Sequence, residues 1–79
     1  MTHAERSHTK RRLAERYGLH VSSDDIFQMA KAIAHGQGTL IAHQNRRVDH
    51  WQLEYQGQAL RLVFDRLRRS IITALPPHC

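Results

Sequence analysis

The stretch 49-DHWQLEYQGQALRLVF-64 decides the fold of this 79-residue chain. The alternation is strict from Asp49 to Tyr55, and over 60–64 large apolar residues alternate with Arg61 and Val63, as in strands that bury one face. The apolar positions are Trp51, Leu53 and Tyr55, then Leu60, Leu62 and Phe64. Between the two runs, Gln56-Gly57-Gln58 predicts a hairpin turn in which Gly57 takes a positive φ. The stretch therefore predicts an antiparallel hairpin with one apolar face.

Two further strands flank this hairpin. Thr39 to about Gln44 is short and apolar, and Ser70–Leu75 is rich in β-branched residues before Pro76-Pro77 stops it. A basic loop, Asp65–Arg69, connects the last strand to the hairpin. Consecutive strands with short connections predict a four-stranded antiparallel meander.

The N-terminal part predicts two helices. The first extends from about His3 to Tyr17 and stops at Gly18, with a narrow apolar stripe. That stripe is Leu13 and Tyr17, helped by Thr9 and Ala14. The second helix begins at Ser22-Ser23-Asp24-Asp25, a capping-box pattern, and ends at Gly36. Its predicted core residues are Ile26, Phe27, Ala30, Ile33 and Ala34.

The predicted fold is α+β: two N-terminal helices packed on one face of a four-stranded antiparallel β-sheet. We expect a single domain over residues 1–79, with an ordered core from about 4 to 76. No apolar run approaches the roughly 18 residues of a membrane span, and the N-terminus lacks a hydrophobic signal region. These features predict a cytoplasmic protein with no membrane partner. Cys79 is the only cysteine, which excludes an internal disulfide.

The charge balance indicates a polyanionic partner. Twelve lysines and arginines face seven acidic residues, for a formal net charge of +5. Only Lys10 and Lys31 are lysines, and the arginine guanidinium suits phosphate and stacks on bases. Nucleic acid is the simplest such partner.

The first helix carries one candidate site. His8, Arg12 and Arg16 are spaced i, i+4, i+8 and so line one edge of the helix. Arginines can hold a phosphate, and an imidazole can move a proton near neutral pH. The alternative is a solvated basic face on which Glu15 makes ordinary helix ion pairs.

The sheet face opposite the predicted core carries a second candidate set. It contains His50, Gln52, Glu54 and Arg61. His50 and Glu54 project from the same side and form a candidate acid/base pair, although any one-sided sheet needs polar residues there. Thr73 places a hydroxyl among apolar residues of the last strand, and Arg47 is a further candidate phosphate contact.

Neither a metal nor a cofactor is predicted. The seven histidines form no close pair of the H-x3-H type. Trp51 and Tyr55 are able to stack bases, but they share one face of the predicted strand with Leu53, which favours core packing.

Taken end to end, the chain resembles small bacterial and phage RelE-like proteins of the barnase–EndoU–colicin–RelE ribonuclease superfold. The resemblance spans residues 7–76. It rests on the His8/Arg12/Arg16 helix followed by Tyr17-Gly18-Leu19, then Ser23-Asp24-Asp25-Ile26, Glu54-Tyr55-Gln56-Gly57, Leu62-Val63-Phe64-Asp65 and Ile71-Ile72-Thr73-Ala74-Leu75-Pro76.

The resemblance implies an RNA-directed, toxin-like protein with its cleft on the exposed side of the sheet and an antitoxin as partner. Many such relatives are metal-independent ribonuclease toxins, whereas the ParE-like branch acts on gyrase and others have no established activity. By motif position the resemblance carries over His8, Arg12, Arg16, Tyr55 and Thr73. If the chain cleaves RNA, no metal is needed, and the ribose 2′-OH attacks the adjacent phosphate. His8 or Glu54 would then be the base, Arg12, Arg16 and Arg61 the phosphate clamps, and Thr73 or Tyr55 a positioning group.

Two other functions are open at this point. The chain is also consistent with a non-enzymatic phage or bacterial protein that inhibits a host protein through its basic face. A DNA-binding module is less well supported, because the two helices lack helix-turn-helix spacing and the second carries only Lys31.

Overall fold

A computed structural model describes residues 3–76 of the chain, with side chains from Ser7 onward. The elements are α1 His3–Tyr17, α2 Ser23–Ala34, β1 Thr39–His43, β2 Val48–Tyr55, β3 Gln58–Asp65 and β4 Ser70–Ala74. The predicted α+β class is confirmed, and the strand limits differ from the predicted ones by a residue or two. Pro77 and Cys79 lie outside the described residues.

The four strands form one antiparallel sheet in the order β1-β2-β3-β4. In the central hairpin, Trp51 lies opposite Leu62, and Leu53 lies opposite Leu60. The apolar face predicted from the alternation is therefore the core face. The turn residues Gln56 and Gly57 have φ values of 51° and 79°, the pair of positive φ angles that a tight two-residue hairpin turn requires.

The helix α1 packs on the edge strand β4. Thr9 and Leu13 are fully buried, and the Thr9 hydroxyl donates to the carbonyls of Ile71 and Ile72 at 3.4 and 3.3 Å. The Tyr17 hydroxyl donates to the Leu75 carbonyl at 2.7 Å and accepts from the Arg61 backbone N–H at 3.0 Å. These polar contacts fix the otherwise charged helix on the sheet.

The helix α2 begins with the predicted capping box. Ser22 and Asp25 each accept a hydrogen bond from the other's backbone N–H, at 3.1 and 3.0 Å. The buried residues of α2 are Ile26, Met29, Ala30 and Ile33. This set has the i, i+3, i+4, i+7 spacing of one helix face.

The prediction that Phe27 and Ala34 belong to the core is wrong. Phe27 is 50% exposed and Ala34 is exposed. Both residues follow a core residue by one position, a step that rotates the side chain about 100° away from the buried stripe. The prediction omitted Met29, which occupies the core instead with 1% exposure.

Candidate functional site

Two turns of the meander lie side by side at one end of the sheet. The β1–β2 turn covers residues 44–47, and the β3–β4 turn covers residues 66–69. The Arg66 backbone N–H donates to the Arg47 carbonyl at 2.8 Å, which joins the two turns directly. The remaining turn, between β2 and β3, lies at the opposite end of the sheet.

These two turns gather exposed positive charge, and we call this part of the molecule the basic end. Its residues are Arg46, Arg47, Arg66, Arg68 and Arg69. They are five of the twelve lysines and arginines in the chain. The C-terminal part of α2 adds Lys31 and His35, which line a surface groove together with Arg68 and Arg69.

Two polar side chains hold the basic end in shape. The Asn45 side-chain oxygen accepts from the backbone N–H groups of Arg47 and Val48, at 2.8 and 2.9 Å. Asp65 accepts from the N–H groups of Leu67 and Arg68 through Oδ1, and from the Arg47 Nε at 2.9 Å through Oδ2. Asp65 thus ties the two turns together and is itself buried.

The hydrogen bonds to Asp65 have a larger combined effect on the pKa of its carboxyl than burial has. Burial alone would raise the pKa of the Asp65 carboxyl, but the bonds from Arg68 N–H, Arg47 and Leu67 N–H lower that pKa below its ordinary 3.8. Because the folded form holds the proton less readily than the unfolded chain, Asp65 stabilises the fold above its ordinary pKa. That contribution is lost as the pH falls through the lower, folded value.

The variant Asp65→Asn is expected to weaken the acid dependence of folding. Wild type loses stability as the pH falls through the ordinary pKa of 3.8 and then through the lower, folded value, because Asp65 becomes protonated, and the variant lacks that contribution. Urea unfolding at several pH values measures the difference, with Glu54→Gln as a control that removes an exposed carboxylate. If the free energy of unfolding fell equally with decreasing pH in wild type and Asp65→Asn, the role given to Asp65 would be contradicted.

A histidine–carboxylate pair lies beside the basic end. His43 and Asp49 are cross-strand partners at the ends of β1 and β2, and His43 Nδ1 is 2.6 Å from Asp49 Oδ1. The Asp49 side chain is 2% exposed, whereas the His43 side chain is 59% exposed. Because an ionised carboxylate only accepts hydrogen bonds, this contact favours the tautomer with the hydrogen on Nδ1 and the free electron pair on Nε2.

An arginine contacts the buried carboxylate of this pair. Arg66 Nε lies 3.4 Å from Asp49 Oδ2, so that both carboxylate oxygens have a basic partner. A pocket of about 190 Å³ opens against Asp49, and Arg66 and Arg69 line its wall together with Ala34 and Trp51. Asp49 therefore belongs both to the pair with His43 and to the lining of a basic pocket.

This arrangement has the parts that metal-independent acid/base chemistry on a phosphate ester needs. A carboxylate holds an imidazole in one tautomer and orientation, as in hydrolytic triads. Nε2 is then the ring nitrogen that is available to act as a general base. Neighbouring guanidinium groups bind phosphate oxygens and stabilise the charge that develops on them.

Comparisons of the chain with protein-family models, curated proteins and solved structures find no match. Among the residues that the structure describes, no group of three or more His, Cys, Asp or Glu side chains is placed to hold a metal ion. Neither described helix is long and apolar enough to cross a membrane.

The α1 candidates do not converge on a cleft. Arg16 donates to the Ala74 carbonyl at 3.2 Å and so serves to dock α1 on β4. Arg12 pairs with Glu15 at 3.0 Å, the ordinary helix ion pair of the alternative interpretation. His8 is half-buried on the same helix. The contacts of Arg12 and Arg16 are those of a docked surface helix.

The sheet-face candidates share one face, on the side away from the helices. By register, His50 and Thr73 flank Val63 on either side, and Gln52 lies opposite Arg61. Glu54 is exposed two residues beyond Gln52. Since α1 packs on the other face, the structure does not bring His8 together with Glu54 or Thr73.

Tyr55 lies on the core face, opposite to that of Glu54, and packs against the core. Burial and the hydrogen bond with Asp25 raise the pKa of the Tyr55 hydroxyl above its ordinary value. The backbone hydrogen bond from Ser22 and the bond with Tyr55 lower the pKa of Asp25. Tyr55 therefore joins β2 to the start of α2, at the end of β2 remote from the basic end.

Sequence reasoning named Arg47 as a candidate contact and Asp65–Arg69 as a basic loop, but it did not place that loop in a site, and it missed His43 and Asp49. A usable signal exists for the pair. His43 and Asp49 each lie three residues from Arg46, and residues at equal distances from the middle of a hairpin turn are cross-strand neighbours. The predicted meander also implies that its first and third turns share one end of the sheet.

Proposed function

We propose that the protein binds RNA at its basic end and cleaves it without a metal ion, with His43 as the general base. The observation that carries this proposal is the 2.6 Å contact between His43 and the buried Asp49 carboxylate, which also contacts Arg66 of the basic end. This assignment moves the base from His8 or Glu54 to His43, and it keeps Arg47 among the phosphate contacts.

The chemistry selects RNA over DNA. His43 Nε2 takes the proton of the ribose 2′-OH, and the 2′-oxygen attacks the adjacent phosphorus atom. The bond between phosphorus and the 5′-oxygen breaks, and that oxygen takes a proton from water. The products are a 2′,3′-cyclic phosphate and a 5′-hydroxyl end. DNA lacks the 2′-OH nucleophile and therefore binds without being cut.

Purified protein incubated with RNA in excess EDTA tests this function. An oligodeoxynucleotide with a single ribonucleotide is the sharpest substrate, because it offers one nucleophile. We expect cleavage after that ribonucleotide with a 2′,3′-cyclic phosphate end, identified by mass spectrometry. The all-DNA strand is expected to stay intact. Cleavage that is equal in both strands, or none at high protein concentration, contradicts the proposed reaction.

The RelE-like resemblance predicts the same type of reaction, and that resemblance, with its toxin-like role and antitoxin partner, stays a prediction. The alternative of a non-enzymatic inhibitor of a host protein is also a prediction. The EDTA assay separates the two: an inhibitor leaves RNA intact, and its partner is then sought by pull-down.

A further inference from the structure

A surface groove lies between the exposed side of α2 and the β3–β4 turn. Its volume is about 400 Å³, within the size range of small-ligand sites. Its lining combines Phe27 and Ala34 with four basic side chains, which we call the rim: Lys31, His35, Arg68 and Arg69. An aromatic ring and apolar surface thus lie among basic side chains next to the basic end.

Phe27 gives this groove its chemical character. Its side chain is half-exposed, although most aromatic rings of small domains are buried in the core. Every nucleobase has a π-face, so that an exposed aromatic ring is a stacking platform for single-stranded nucleic acid. Basic side chains at the rim then suit the phosphates on either side of a stacked base.

The groove is continuous with the proposed cleavage site. Ala34 and Arg69 line both the groove and the smaller pocket that opens against Asp49. Arg69 is therefore within reach of both a ligand in the groove and the pocket at Asp49. The shared lining and the positive charge of the groove favour a polyanionic ligand that extends toward Asp49.

We propose that the groove is a base-binding subsite for single-stranded RNA, in which one base stacks on Phe27 and its phosphates meet Lys31, Arg68 and Arg69. The inference rests on the proposed function and adds a substrate class to it. Double-stranded RNA keeps its bases in the helical stack and is unable to use the subsite.

The test compares three variants at this groove with wild type. Phe27→Ala removes the ring, Phe27→Leu keeps apolar volume without a π-face, and Phe27→Tyr keeps the ring. Leu67→Ala is the matched control, because Leu67 is an apolar side chain, 77% exposed, in the neighbouring turn. Fluorescence anisotropy measures binding of a 2′-O-methyl RNA octamer, which is not cleaved, and of an RNA duplex.

We expect Phe27→Ala and Phe27→Leu to weaken octamer binding about tenfold or more, with Phe27→Tyr and Leu67→Ala near wild type. Duplex binding is expected to be equal in all variants. Octamer binding by Phe27→Ala that equals wild type overturns the inference. Because Phe27 is not in the core, melting temperatures close to wild type are expected and confirm that each variant is folded.

A mononucleotide separates this inference from the proposed function. Adenosine monophosphate is titrated while NMR follows the Phe27 ring and the Lys31 amide. Shifts at both, in a protein that cuts no RNA, support the subsite and contradict the cleavage function. An absence of nucleotide-induced shifts, with shifts from a hexaglutamate peptide instead, overturns the subsite in favour of an acidic protein partner.

Discussion

Replacing His43 with alanine is expected to lower RNA cleavage by about two to four orders of magnitude, the usual contribution of a general base. RNA binding is expected to change little, because the arginines of the basic end carry the charge. The variant loses the contact to Asp49 but leaves the carboxylate paired with Arg66. The measurement is the single-turnover cleavage rate beside the dissociation constant of the uncleaved 2′-O-methyl octamer.

Two other histidines give matched controls for this variant. His50 lies on the opposite face of β2, where its Nε2 contacts Gln44 at 2.9 Å, and His8 lies on α1. We expect His50→Ala and His8→Ala to cleave RNA at rates close to wild type. Full activity in His43→Ala, or its loss in His8→Ala alone, contradicts the proposed base.

Asp49 is a positioning residue in this scheme, since it acts through His43. Asp49→Asn keeps the shape of the side chain but offers an amide that no longer favours hydrogen on Nδ1 alone. We expect a lower cleavage rate, a changed pH–rate profile and unchanged RNA affinity. A rate reduced without any change in the pH profile would indicate that Asp49 has only a structural role.

The second large effect concerns binding. Changing Arg66, Arg68 and Arg69 together to glutamine is expected to weaken RNA binding by roughly two orders of magnitude, if each contact contributes about 1 kcal/mol. Loss of three phosphate contacts is also expected to reduce the salt slope, log K against log salt concentration, by about 2. Anisotropy titrations between low and moderate salt measure both quantities.

A charge-matched triple variant on α1 controls for net charge. Lys10, Arg11 and Arg12 changed to glutamine remove the same number of positive charges from α1 instead of from the β3–β4 turn. We expect this variant to bind RNA almost as wild type and to keep the wild-type salt slope. Equal losses in the two triple variants would show that net charge, and not the basic end, governs binding.

The fold was predictable because local signals and the global pattern agree. The alternation over 49–64 fixes which hairpin face is buried, and the Ser22–Asp25 capping box fixes where α2 begins. The error at Phe27 has a clear cause. When a helix has several large apolar residues, more than one of its faces is apolar enough to be buried. Packing against the sheet buries the face that contains Met29 and leaves Phe27 exposed.

The site was harder to predict because it is assembled by pairing across turns. His43 meets Asp49 only through the register of β1 on β2, which includes a shift between Leu40 and Ala42. The spacing of His8, Arg12 and Arg16 was easier to recognise along the chain. In the structure, however, the Arg12 and Arg16 guanidinium groups contact Glu15 and the Ala74 carbonyl. Helical spacing alone did not distinguish a docked surface helix from a binding face.

The position of bound RNA tests the central claim most directly. Backbone amide and arginine side-chain NMR signals are followed while the uncleaved 2′-O-methyl octamer is added. The account predicts the largest shifts at His43, Arg47, Arg66 and Arg69, with smaller changes along α1. Shifts that concentrate on His8, Arg12 and Arg16, with the basic end unaffected, would contradict it.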